Sequence, residues 1–193
     1  MRRSAIIAVL TLTVAATPLA TAPAAAQTDS GTKAASPTAT ARASLDDPTI
    51  VAIFDGANTV DIESGRLAAE RGHTKAVRDF GAMLARDHAQ VRQRGRDLAA
   101  RLHVTPTPPK DDTSARDHAA AMKRLRALHG AAFDRAFLEH EVAFHTAVID
   151  AVTTTLLPAI RNAELKALVV EVAPAFEAHR LAASNLEKQL AGR

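Results

Sequence analysis

Near the end of the chain, Leu165, Leu168, Val172, Phe176, His179, Ala183, Leu186 and Leu190 follow one another in steps of three and four. Only an α-helix gathers such positions onto one face, so the spacing commits the segment to a helix with one side in a core. The same period recurs in three earlier segments, and no stretch alternates apolar and polar residues as a half-buried strand would. The chain therefore reads as all-α.

The first long helix opens at Asp47-Pro48, with Asp47 as N-cap and proline at the first helical position. Its inner stripe is Ile50, Ile53, Ala57, Val60, Ser64 and Leu67, and it ends near Gly72. A second helix runs from about Thr74 to Leu102 with Val77, Phe80, Leu84, His88, Val91, Leu98 and Leu102 inward, until Thr105-Pro-Thr-Pro-Pro109 stops it. Ser114-x-x-Asp117 resembles a capping box and opens a shorter helix reaching Gly130. The third long helix, from about Ala131 to Leu156, places Leu138, Val142, His145, Ile149 and Val152 on one face. Pro158 and Asn162 separate it from the last, where Pro174 should kink the helix about one turn before His179. The expected architecture is an up-down four-helix bundle with one short extra helix between the second and third long ones. Its folded part is 47–191.

The start of the chain has a different character. Arg2 and Arg3 precede a short apolar run, and Ala24-Ala25-Ala26 leads to Gln27, the pattern of a secretory signal peptide over 1–26. The apolar run falls short of the roughly 20 residues of a membrane span, so an uncleaved anchor is the weaker reading. Residues 27–46 are rich in Ser, Thr, Ala and Pro and read as a tether. The expected location is the periplasm or the exterior. Without cysteine, neither disulfides nor a lipoprotein-type anchor is available, so packing must hold the domain together.

Removing Arg2 and Arg3 with the signal lowers the formal charge from +3 to +1, which gives no electrostatic case for nucleic acid. Arg92, Arg94, Arg96 and Arg101 spread over a solvent face, leaving an envelope protein or an anionic envelope surface as the conceivable partner. Ile62 and Leu181 are the apolar positions that fall off the core stripes. Trp and Tyr are absent, which argues against an outer-membrane barrel with its aromatic girdles. No glycine-rich phosphate loop or Ser/Cys nucleophile signature is present, which disfavours hydrolytic and nucleotide-dependent enzymes.

What remains is a set of histidines in the wrong place. His88, His145 and His179 each occupy an apolar stripe position on a different helix, and buried imidazoles need partners. If both hairpin turns lie at one end, near Gly72 and Ile160, the three are sixteen, fifteen and nineteen residues from their turns. At about 1.5 Å per residue they lie roughly 24, 22 and 28 Å deep, in one layer. Glu141 shares that level and Asp87 adjoins it, while Glu63 sits higher; on the first helix, Asp55 or Asn58 fits the layer better.

The segments Glu63-Ser-Gly-Arg-Leu-Ala68, Met83-x-x-x-Asp87-His88, Gly130-x-x-Phe133-Asp134, His145, and Pro174 followed by His179 resemble a family of bacterial exported proteins known as domain of unknown function 4142. The resemblance covers Pro48 to Leu190 and implies a ferritin-like helical bundle in the bacterial envelope, with no established reaction.

Two readings of the histidine layer stand. In the first, His88, His145, His179 and Glu141 hold a divalent transition metal, with Asp87, Glu63 and Asp134 as further candidate ligands. A ferritin-type di-iron centre is ruled out, because Glu-x-x-His is missing: Ala85, Val142 and Phe176 stand where its glutamates belong. In the second, the layer is a satisfied polar network inside a non-catalytic structural or interaction protein.

Overall fold

The computed structural model describes residues 45–192, and all regular structure among them is helical. The signal segment and the tether up to residue 44 lie outside the described residues. Helix α1 (Asp47–Arg71) begins one residue earlier than the Asp-Pro pair suggested, because Asp46 is its N-cap and accepts from the Thr49 amide at 2.9 Å. Asp47 is employed elsewhere. Its carboxylate accepts from the backbone amides of Arg161 and Asn162, both at 2.9 Å.

Helix α2 (Lys75–Arg101) starts from Thr74, whose hydroxyl caps the Val77 amide. Helix α3 (Ser114–Arg126) starts where the capping-like motif placed it, with Thr113 Oγ donating to Asp117 at 2.7 Å. It stops at Arg126 rather than Gly130. Gly130 has φ +58, a conformation that favours glycine, and it opens α4 (Gly130–Ala151). Beyond α4 the coil widens into a π-helical turn, Val152–Leu156, where Thr153 and Thr154 hydroxyls take the Ile149 and Asp150 carbonyls. A last turn, α5 (Leu157–Ala159), leads to Asn162, which caps α6 (Ala163–Ala191) through the amides of Glu164 and Leu165. Pro174 lies inside α6.

The helices pack as two hairpins, α1 with α2 and α4 with α6, which meet mainly along α2–α6 and α1–α4. Their relative direction corrects the expected up-down-up-down course. Asp134, near the start of α4, accepts from the His73 and Thr74 amides in the α1–α2 turn at 2.7 and 2.8 Å. At the other end, Asp47 at the start of α1 binds the α4–α6 connection. The two hairpin turns therefore lie at opposite ends of the molecule. Helix α3 climbs back between them, since its last residues reach Arg71 through the Arg126 carbonyl. The layer of histidines survives this inversion because His88 and His179 sit near the middle of their helices and His145 near the middle of the helical run from Gly130 to Ala159, where counting from either end gives a similar depth.

Apolar side chains form two clusters. One joins Ile50, Phe54, Leu98, Val152, Leu165, Val172 and Phe176; the other joins Leu67, Val77, Phe80, Leu84, Phe133, Phe137 and Leu138. Between them in sequence on every long helix lies a buried polar layer: Asn58, Asp61, Ser64, His88, Glu141, His145 and His179. Above it, α1 and α2 approach so closely that a Cβ on Gly65 would stand 2.7 Å from the Gly81 carbonyl oxygen. On α2 the arginines are tied down: Arg92 bonds Thr59, and Arg94, Arg96 and Arg101 pair with Glu171, Asp55 and Glu164. Ile62, expected as an outward apolar residue, is buried; Leu181 is exposed.

Candidate metal centre

The stripe positions of α2, α4 and α6 carry His88, His145 and His179 into the polar layer, and one nitrogen of each lies within 4.8 Å of the others. The ring centroids are 5.1 to 5.6 Å apart, and Phe176 closes one side at 5.6 Å from His88 and 6.3 Å from His145. A point equidistant from three such atoms is at most about 2.8 Å from each, so the rings need close in by less than about 1 Å to reach ordinary metal–imidazole distances.

The orientation of each ring follows from what stands behind it. The Asn58 amide donates from Nδ2 to the Phe54 carbonyl at 2.8 Å, which turns its Oδ1 to His88 Nδ1 at 3.0 Å. An amide oxygen only accepts, so Nδ1 of His88 carries the hydrogen and Nε2 is bare. His145 Nδ1 donates to the Glu141 carbonyl at 3.0 Å, and its Nε2 is buried with no partner. His179 Nε2 faces Asp87 Oδ2 at 3.4 Å, which directs its Nδ1 inward, 3.1 Å from His88 Nε2. With its hydrogen on Nε2, toward the carboxylate, His179 would face the bare Nε2 of His88 with a second lone pair across that 3.1 Å; with its hydrogen on Nδ1 it donates to His88 Nε2 instead. In the first tautomer the trio lacks a donor. A cation at its centre supplies what it lacks, and an acceptor behind each imidazole is the arrangement that orients metal-bound histidines.

Burial first, then the neighbouring imidazoles, pushes the His88 pKa down to about 2. Burial and His179 push His145 to about 4, opposed by the Glu141 carbonyl. His179 is lowered by burial, with Asp87 working against it. At neutral pH the rings of His88 and His145 are therefore uncharged and ready to ligate.

A second group adjoins the first on the Nδ1 side of His145. Asp61 Oδ1 is 3.9 Å and Glu141 Oε2 3.5 Å from that nitrogen, and Ser64 donates to Glu141 Oε1 at 2.7 Å. Asp61 Oδ1 and Glu141 Oε2 are buried acceptors without a donor. Burial and the neighbouring Glu141 hold Asp61 well above the carboxylate range, and burial brings Glu141 to about 7 against its hydrogen bonds from Ser64 and Asp61. Two carboxyls in one dry site cannot both ionise, so the pair retains a proton.

The structure thus brings His88, His145 and His179 together, with Asp87 behind His179, and sets Glu141 apart from them with Asp61, on the Nδ1 side of His145. It does not bring Glu63 or Asp134 to them: Glu63 accepts from His118 Nε2 at 2.9 Å, and Asp134 caps the α1–α2 turn. Of the two level-matched residues on α1, Asn58 joins the layer and Asp55 pairs with Arg96. Asp61 escaped sequence reasoning, and Ser64 passed as an ordinary stripe residue. Their spacing, Asn58-x-x-Asp61-x-x-Ser64, was the available signal, since it sets three polar groups on one helical face.

A family model described as domain of unknown function (DUF4142) matches residues 32–186. The chain belongs to this family. Comparison with curated proteins and with solved structures finds no match. The helical fold and the buried polar layer are therefore those of a DUF4142 protein, and its chemistry must be argued from the side chains themselves.

Proposed function

We propose that this DUF4142 protein is an exported, ferritin-like four-helix bundle that holds a single divalent transition metal ion between His88 Nε2, His145 Nε2 and His179 Nδ1. The carrying observation is that three buried imidazoles from three helices each bring one nitrogen within 4.8 Å of the others, with an acceptor beside the other nitrogen of each ring. Neutral nitrogen ligands beside carboxyls suit zinc, copper or iron. Asp61 and Glu141 supply the countercharge: a divalent ion at the imidazoles favours release of the proton they share. The ferritin-like reading is supported by two hairpins joined through one long connection containing α3, as that bundle class requires. Export rests on the Arg2-Arg3 start, the apolar run and Ala24-Ala25-Ala26.

A purely structural network is the rival reading, and one orphaned atom weighs against it. His145 Nε2 would remain buried without a partner, at about 1–3 kcal/mol. The test is Zn²⁺ retention after dialysis against a chelator, read by elemental analysis. The protein should keep one tightly held ion, and His145→Ala should keep none while remaining helical by circular dichroism. Equal retention by the two, or none by either, would overturn the proposal.

A further inference from the structure

The three core imidazoles are closed off from solvent on almost every side. Side-chain exposure is 2% for His88, 0% for His145 and 8% for His179, and Asn58, Asp61 and Glu141 behind the first two are buried. The α1–α2 crossing is too close to admit a Cβ at Gly65 or Gly81. Between α1 and α4 the buried Ser64 hydroxyl donates to the buried Glu141 carboxyl, and from α6 the buried Phe176 ring covers His88 and His145. Asp87 is the exception. It stands on α2 across the seam from His179 on α6, with Oδ2 3.4 Å from His179 Nε2, and its side chain is 33% exposed. Among the described residues it is the one side chain that both hydrogen-bonds an imidazole of the trio and reaches water.

Its two oxygens face different ways. Oδ2 meets the outermost imidazole, while Oδ1 holds the Arg86 guanidinium, with Nε at 3.1 Å and Nη2 at 3.0 Å. Arg86 is itself well exposed, and an ion pair in solvent holds weakly, so the guanidinium swings aside at little cost. A cation that takes its place meets a carboxylate backed by an imidazole, at the one polar break in the wall around the trio. We propose that Asp87 is the port of the core centre: a divalent transition ion displaces Arg86, is captured by the Asp87 carboxylate, and passes along the α2–α6 seam to His179. The port rests on the core centre proposed above, and it assigns Asp87 a part in the rate of loading that is separate from its place behind His179.

Stopped-flow mixing of the metal-free protein with Zn²⁺ and a competing chromophoric chelator reads uptake, and mixing of the loaded protein with excess chelator reads release. Asp87→Asn, which retains an acceptor for His179 but not the charge, should slow uptake by about tenfold or more. Arg86→Ala should quicken uptake and release together, leaving retention at equilibrium as in the parent. Asp79→Asn removes the same charge from an exposed site on α2, about 12 Å along the axis from Asp87, and should take up Zn²⁺ at the parent rate, because about 0.1 M salt screens that distance. Uptake by Asp87→Asn at the parent rate with faster release would reduce Asp87 to a positioning residue for His179. Slowing by Asp79→Asn as great as by Asp87→Asn would make the effect one of overall charge, and Arg86→Ala no faster than the parent would remove the displacement step. Each of these three results overturns the port and leaves the core centre standing. If the parent protein takes up no Zn²⁺ at all, the core centre falls and the port with it.

Discussion

Asn58 stands behind an imidazole, and at 3.0 Å it is the nearer of two acceptors facing His88 Nδ1, the other being Asp61 Oδ2 at 3.4 Å. Its amide is pinned by the Phe54 carbonyl, and that fixes which nitrogen of His88 carries the hydrogen. Replacing Asn58 with Ala should therefore weaken Zn²⁺ binding at the core by about 10- to 100-fold in a competition titration, without removing any ligand. Unchanged affinity would mean that the His88 tautomer is set by something else. The histidines were legible in the sequence because an imidazole on an apolar stripe is conspicuous. Asn58 was legible through its depth along α1. Asp61 was not, because the stripe drawn through Ile53, Ala57 and Val60 lies to one side of the true buried face, Phe54, Asn58, Asp61 and Gly65. A polar layer hides the period that would reveal it: counting only apolar residues rotates the helix away from its own buried polar groups.

At the scale of elements, the close α1–α2 crossing makes a sharp prediction. A methyl on Gly81 would stand 2.6 Å from the Gly65 carbonyl oxygen, and that oxygen belongs to backbone that cannot swing away. Gly81→Ala should push the helices apart and lower stability by about 1–3 kcal/mol. Gly56 lies on α1 like Gly65, but an added methyl there would meet nothing within 4 Å, so Gly56→Ala should raise stability by about 0.5–1 kcal/mol. Chemical denaturation checks both signs, and equal effects would contradict the packing described for this crossing. Helix positions were readable from caps and breakers, because Thr74, Gly72 and Asn162 act locally. Helix direction was not. It depends on Asp134 reaching the α1–α2 turn and Asp47 reaching the α4–α6 turn, contacts between residues far apart in sequence that leave no periodic trace.

For the molecule as a whole, the polar layer should govern how stability varies with pH. His88 and His145 are held near 2 and 4 in the fold against 6.5 when exposed, so below about pH 6.5 the unfolded chain binds protons that the native core refuses. Stability from these groups is present above pH 6.5 and is lost as the pH falls. Glu141 works in the opposite sense. Its carboxyl titrates near 7 in the fold against 4.5 when exposed, so its contribution is full below pH 4.5 and is lost as pH rises through 7. Asp61, also raised, acts in the same direction as Glu141. Between about pH 4.5 and 6.5 the imidazole and carboxyl pairs largely offset each other. The metal-free protein should accordingly show a broad maximum of melting temperature in that range with a fall on both sides, and Glu141→Gln should lessen the alkaline fall. A melting temperature that keeps rising above pH 7 in both proteins would show that the buried carboxyls are not held protonated.

All these effects centre on one place in the molecule, and a crystal soaked with Zn²⁺ and measured at the zinc absorption edge examines it directly. The expected result is an anomalous peak about 2 Å from His88 Nε2, His145 Nε2 and His179 Nδ1; a Zn²⁺-saturated crystal with no peak among those nitrogens would contradict a metal centre in the histidine layer.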